Sequence, residues 1–255
     1  MRVVKVGGRI QADPSLVAGI ARAWQESPGK LCVVHGGGDE ISDTQRRLGL
    51  EPKMSNGRRV TTADDLTVVR MVLSGVTNKR MVSALIRAGV TAVGISGEDG
   101  GLLCAEARDA ATLGMVGKTP VVRAAILHTL LRDRMLPVIS PVSGCADVSL
   151  SDALNVNGDD AAAAIAIALE ADELVFVSDV AAVRASSGES VRQLDPDSAQ
   201  DMIENGAAEG GMAAKLEAAL TAIAGGVARV RIGTIEMLTD QNAGTLIRSA
   251  TGVVR

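Results

Sequence analysis

Short apolar runs alternate along this chain with longer stretches of mixed character. RVVKV (2–6) predicts a strand that ends at Gly7-Gly8, and LCVVH (31–35) predicts a second that ends at Gly36-Gly37-Gly38. Between them DPSLVAGIARAWQES predicts a helix, with Asp13 as N-cap, Pro14 at the first helical position and Val17, Ile20, Ala21 and Trp24 on one face. Pro28-Gly29 stops it, and a further helix is expected after the glycine triplet. EPKMSNGRRV reads as a hairpin or extended excursion. Thr62 with Asp65 resembles a capping pair that opens the next helix, and a further helical pattern runs to about Ala88.

The alternation continues with a strand at TAVGIS (91–96), a turn at GEDGG, a helix near 121–133 and a strand at LPVIS. GDDAAAAIAIALEA is apolar on nearly every side and predicts a buried helix. DELVFVSD predicts a strand, GGMAAKLEAALTAIAGG a helix with Met212, Leu216, Ala219 and Ile223 on one side, and VARVRIG the next strand. Such β-α-β alternation implies a mainly parallel sheet covered by helices on both faces. Gly7, Gly36, Gly97, Asp179 and Gly233 fall at the C-terminal ends of its strands, the edge where open α/β sheets bind ligands. A polar stretch near residue 150 marks a soft division into 1–150 and 151–255.

Composition narrows the partners. Hydrophobic residues make up 47% of the 255 and aromatic ones 1%, so the core must be aliphatic and the stacking platforms of single-strand nucleic-acid binders are missing. A formal charge of −4 with no long basic run argues against nucleic acid or an anionic membrane. No apolar run reaches membrane-spanning length. Cys32, Cys104 and Cys145 are too scattered for a zinc site or a disulfide framework, and a reducing cytoplasmic location is the expectation.

The segment TLGMVGKTP (112–120) ends like a phosphate loop, but that pattern needs a glycine where Thr112 stands. The two glycine loops are better candidates for anion binding, because glycine lets backbone N–H groups approach a phosphate and a following helix adds its dipole. Each alone reads first as a tight βα turn, but two such loops at adjacent early strands are more than turns need. Lys5 sits inside an apolar strand. It either lies on an edge strand and faces solvent, or it is buried and needs an anion.

These residues resemble the amino acid kinase family and, within it, the acetylglutamate kinase branch. The likeness covers nearly the whole chain. It rests on VVKVGG at the start, VVHGGG at 33–38, NGRRVT at 56–61, LGMVG at 113–117, NVNGDDAA at 155–162, SDV at 178–180 and GGMAAK at 210–215, in that order. It implies an open, mainly parallel αβα sandwich. The N-terminal lobe (1–150) would bind the acylamino acid and carry a dimer contact, and the C-terminal lobe (151–255) would bind ATP. The implied reaction is phosphorylation of N-acetyl-L-glutamate on its side-chain carboxylate, a step of arginine biosynthesis. Mg2+ would be held mainly by phosphates and water, with no protein ligand assigned.

Carried over by motif, Lys5 and Lys215 would stabilise the transferring group, Gly8 and Gly37 would donate amides to it, and Asp159 would orient the lysines. Gly37 and Gly38 would line the acylamino acid. Arg59 would pair with its α-carboxylate, and Asn155 with Asn157 nearby would bind its amide region. Nucleotide contacts would come from Lys5, Gly7, Gly8, Ser178, Asp179, Val180, Gly211, Met212 and Lys215. Read without the motif, Arg59 is a solvated hairpin charge, and Asn155, Asn157, Asp159 and Asp160 are helix-capping or dipole-complementing residues. The chain departs from the family pattern at Gly158, Ala182 and Lys118. The few residues before Lys5 imply a homodimer without the arginine-sensing helix of hexameric relatives. A PII-type regulator is not readable. Rival activities are kinases for N-succinylglutamate or for carrier-bound aminoadipate or glutamate, the carbamate, aspartate and uridylate kinases, and a non-catalytic sensor on the same fold.

Overall fold

The computed structural model describes residues 1–55 and 57–248. In chain order the strands are β1 (Arg2–Val6), β2 (Leu31–His35), β3 (Met54–Ser55), β4 (Arg58–Arg59), β5 (Ala92–Ser96), β6 (Leu103–Ala105), β7 (Val121–Val122), β8 (Leu136–Ser140), β9 (Val142–Cys145), β10 (Ala153–Asn155), β11 (Glu173–Val177), β12 (Gln193–Leu194), β13 (Arg229–Gly233) and β14 (Thr245–Ile247). The helices are α1 (Pro14–Glu26), α2 (Gly38–Arg47), α3 (Ala63–Arg70), α4 (Asn78–Arg87), α5 (Ala110–Leu113), α6 (Ala125–Arg132), α7 (Gly158–Ala168), α8 (Pro196–Glu204) and α9 (Gly210–Ala224).

Eight strands form the central sheet in the order β12-β14-β13-β11-β1-β2-β8-β5. All its neighbours run parallel except β13 with β14. β1 therefore lies between β2 and β11, where strands from the two halves of the chain meet. This is a topological switch point, and its C-terminal edge opens a crevice. Lys5 pairs in register with Phe176 on one side and Val34 on the other, so it is central and buried rather than on a solvent-facing edge.

Packing follows from the residue types. β2 and β11 are buried along their whole length, as expected of strands covered on both faces. The alanine run of α7 lies fully inside, against β1, β2, β11 and α9, because methyl side chains let the helix axis approach closely. α1 opens as the sequence predicts, with the Asp13 side chain accepting from the Ser15 amide, and buries Leu16, Ile20, Ala21, Ala23 and Trp24. Thr62 and Asp65 form a reciprocal capping box at the start of α3.

Several local expectations change. The helix expected near 121–133 begins only at Ala125, because Val121 and Val122 pair antiparallel with β6. The helix opened by the capping pair and the further one before Ala88 are α3 and α4, and a π-helical segment, Met71–Thr77, that the sequence did not suggest joins them. A second sheet, β10-β9-β6-β7, is built from strands too short to show a period. Gly117 and Lys118 precede no helix. The Gly117 amide donates to Asn155 O, and Lys118 pairs with Glu106 at the surface, so the phosphate-loop likeness is a coincidence of sequence. Among the described residues no helix is long and apolar enough to cross a membrane.

Candidate active site

Three loops converge at the crevice. β1 runs into Gly7 and Gly8, β2 runs into Gly36–Gly38, and Asn157 caps α7 by accepting from the Asp159 amide at 2.8 Å. A Cβ on Gly8 would stand 3.3 Å from the Gly37 Cα, and one on Gly37 would stand 2.7 Å from Leu73 Cδ2. A side chain at Gly8 would press on the Gly37 backbone and one at Gly37 would displace Leu73, so glycine keeps this approach close. α2 starts at this point with no side chain capping it, so its first-turn N–H groups and dipole favour an anion there. The Gly7 amide is already committed to Val177 O at 3.0 Å, which leaves it a structural role on that side.

Asp159 joins the two lysines. Lys5 Nζ lies 2.7 Å from its Oδ1, and Lys215 Nζ, from α9, lies 3.4 Å from its Oδ2. All three side chains are largely buried. Burial pushes the Asp159 pKa up, but the Lys5 and Lys215 ammoniums outweigh it and hold the group below the usual carboxylate range. Burial lowers the Lys215 pKa, with Asp159 opposing. Two cations share one anion, so the cluster carries an unbalanced positive charge at the cleft.

The cleft encloses about 240 Å3 and is lined by Lys5, Gly8, Gly37, Gly38, Arg59, Asn155 and Asn157 among others. Arg59 is buried, not a solvated hairpin charge. It donates to Gln45 Oε1, to Gly38 O at 2.8 Å and to Ser42 Oγ at 2.7 Å. Asp65 lies behind Gln45, whose amide donates to its Oδ1 at 2.5 Å, and its charge favours the Arg59 cation without a direct ion pair. Among the described residues no carboxylate pairs with Arg59 directly, and burial lowers its pKa. A buried guanidinium held by neutral acceptors is matched to an incoming anion. Asn155 Nδ2 donates to Thr61 Oγ1 at 3.1 Å beside it. Asn56, the first residue of the NGRRVT motif, lies outside the described residues.

The remaining sequence-derived positions lie beside this cleft rather than in its lining. Ser178 follows β11 and is buried, and its Oγ donates to Asp179 Oδ1 at 3.2 Å. Val180 follows it, and its amide donates to Ser178 Oγ at 3.4 Å. Gly211 and Met212 form the first turn of α9, with Lys215 Nζ reaching Gly211 O at 3.3 Å. Arg9 spans the gap by pairing with Asp39 at 3.2 Å and Asp179 at 3.5 Å. Among the described residues no three of His, Cys, Asp and Glu gather as a metal site.

Sequence reasoning gave no site role to four residues that the fold places beside the cleft. His35 is fully buried, with Nε2 facing the Asn78 amide and Nδ1 facing Gly36 O. Arg58, which lines the cleft, forms a separate charged group with Asp160 and Arg108. Their positions are far apart in sequence, so only the fold brings them together.

A family model described as the amino acid kinase family matches residues 1–234. An acetylglutamate kinase of Cereibacter sphaeroides is 42% identical, over 97% of this chain and 87% of the relative. One of Methanopyrus kandleri is 39% identical, over 97% of this chain and all of the relative. The crystal structure of smu.665 from Streptococcus mutans superposes with a TM-score of 0.86 at 28% identity, covering 97% of this chain and 98% of that one.

Proposed function

The chain belongs to the amino acid kinase family, and from that premise we propose that it transfers the γ-phosphoryl group of ATP to the side-chain carboxylate of N-acetyl-L-glutamate. It is a kinase, and its relatives of known name act on this acylamino acid. The observation that carries the reading is the pairing of two chemistries in one crevice. One is a lysine–aspartate–lysine cluster with excess positive charge. The other is the buried Arg59 without an acid partner, on the wall of the same cleft.

The reaction asks little proton chemistry of the protein. The acceptor carboxylate is ionised at neutral pH, since its ordinary pKa is about 4.3. One of its oxygens forms the new P–O bond while the bond from the γ-phosphorus to ADP breaks, and no proton need move. The work is alignment of two anions and neutralisation of the charge that builds on the transferring group. Lys5 and Lys215 supply that neutralisation from either side of Asp159, which keeps both ammoniums aimed. The amides of Gly8 and Gly37 and the start of α2 add fixed dipoles. Arg59 takes the α-carboxylate as a fork, with Gly38 beside it, and Asn155 and Asn157 take the acyl amide.

Ser178, Asp179, Val180 and the first turn of α9 hold the nucleotide, with residues 1–150 forming the acylamino-acid lobe and residues from 151 onward the nucleotide lobe. The lysines and glycine amides suit a triphosphate. Mg2+ held by phosphate oxygens and water would add further positive charge. A cytoplasmic homodimer completes the reading.

The test is trapping of the acyl phosphate with hydroxylamine. MgATP and N-acetyl-L-glutamate should give hydroxamate, and N-succinylglutamate, glutamate and aspartate should not. Product with succinylglutamate alone would move the substrate and keep the mechanism. No product from any of them would overturn the reading in favour of a carrier-bound substrate or a sensor.

A further inference from the structure

Asp159 and Asp160 are neighbours in the first turn of α7, and successive helical residues point about 100° apart. Asp159 takes the lysines, and Asp160 turns to a different group. Its Oδ2 lies 3.2 Å from Arg58 Nη1 and 3.9 Å from Arg108 Nη2. The pair with Arg58 is largely shielded, with side-chain exposures of 7% for Asp160 and 17% for Arg58, so it is not an ordinary solvated surface contact. The other end of Arg58 stands 4.0 Å from Glu217 of α9. One guanidinium thus touches both helices that carry the central charged cluster.

Arg58 lies on β4, which among the described residues pairs with β3 in a separate two-stranded ribbon, followed by a single bridge from Thr61 to Gly114. Such a ribbon is marginal by itself and depends on what holds it down. Its residues Met54, Gly57, Arg58 and Arg59 form one side of the cleft. Arg108 is fixed differently, since its amide donates to Val116 O at 2.7 Å and its Nε is buried with no acceptor among the described residues. Without Asp160 two guanidiniums would face each other. Arg59 and Thr61 anchor the far end of the ribbon, so the strain would fall on Arg58 and the turn before it.

We infer that Asp160 is a positioning residue. Through Arg58 it pins the β3–β4 ribbon to α7 and α9, and so keeps Arg59 at the acylamino-acid side of the cleft. The ribbon that encloses the acceptor is thereby tied to the helix whose preceding residue, Asp159, orients the lysines. The consequence for catalysis rests on the kinase reading given above. The pin itself does not.

Hydrogen exchange on the ligand-free protein tests the pin. Amides of Arg58, Arg59 and Val60 are compared in the wild type, Asp160→Asn, Arg58→Gln and the double variant, with β1 and β11 amides reporting that the fold is intact. Each single change should speed exchange in the ribbon about tenfold or more, and the double should be no faster than the faster single, as for two partners of one interaction. Asp160→Glu should restore slow exchange. In steady-state assays Asp160→Asn should raise KM for N-acetyl-L-glutamate about tenfold while KM for ATP stays within about twofold. Unchanged ribbon exchange in Asp160→Asn, additive effects in the double variant, or an equal rise of both KM values would overturn the inference. If the wild type forms no acyl phosphate, the kinase reading fails, and the exchange comparison still decides the pin.

Discussion

Lys5 on β1 and Asp159 on α7 lie 2.7 Å apart, nitrogen to oxygen, in the middle of the molecule, and Lys215 approaches the same carboxylate from α9. Lys5 is buried on a central strand, where a cation without an anion is strongly unfavourable. The pair therefore explains both why the strand tolerates a lysine and why the crevice is positive.

Replacing Lys5 or Lys215 by Met should lower kcat by at least about a hundredfold, roughly 3 kcal/mol of transition-state stabilisation, and leave the fold intact because Asp159 keeps one partner. Asp159→Asn should lose activity and about 3 kcal/mol of stability as well, since it strands two buried ammoniums. Single-turnover kinetics beside urea denaturation separates the two effects. A stable, active Asp159→Asn enzyme would show that the carboxylate does not organise the lysines.

Arg59→Lys keeps the charge but cannot span Gln45, Gly38 O and Ser42 together. The expected result is a 10- to 100-fold loss in kcat/KM for the acyl substrate, about 1.4–2.7 kcal/mol, carried mainly by KM. An unchanged KM would place the α-carboxylate elsewhere.

His35 gives a pH signature. Burial, with a smaller push from the Lys5 charge, lowers its pKa from 6.5 to about 4. The unfolded chain therefore binds a proton between about pH 6.5 and 4 that the folded protein refuses, and stability must fall as pH drops through that window. The stabilisation is complete above pH 6.5, and the loss is at most about 3 kcal/mol. In His35→Asn that part of the slope should vanish from urea midpoints measured across pH 4–7. Depressed carboxylates such as Glu40, held at about 2 chiefly by its hydrogen bonds from Arg80, add their own loss as pH falls from about 4.5 toward 2, overlapping only the acid edge of this window.

At the opposite end of β11, Glu173 is buried and pairs with Arg231 at 2.8 Å, Arg2 at 2.6 Å and Arg229 at 3.1 Å. Glu173→Gln should cost roughly 3–5 kcal/mol of stability because three guanidiniums lose the anion they share. KM values should not move, since the cleft is at the other end of the strands. A shift in KM with normal stability would contradict this division of roles.

Legibility in the sequence tracked the length of the signal. β1, β2, β8, β11 and β13 are runs of five residues with glycine or polar ends, and α1 and α3 carry explicit caps, so each could be read locally. β6, β7, β9 and β10 are two to four residues long, and a period cannot be counted over that span. The π-helical segment lies inside a pattern that satisfies a helical period well enough to hide it. Lys5 was conspicuous because it broke an apolar run. Arg58 was not, because an arginine in a polar hairpin breaks no pattern, and its partner Asp160 passes for an ordinary first-turn acid.

The place of β1 in the sheet also bears on how the chain is made. β1 emerges before every strand it pairs with, and one of its two pairing edges stays unmatched until β11 has been synthesised. β2, β8 and β5 can assemble beside it earlier, all from the first 140 residues. A nascent chain paused before residue 173 would thus present the open side of Val3, Val4 and Val6, an apolar strand edge of the kind that recruits other chains. Completion of β11 closes that edge.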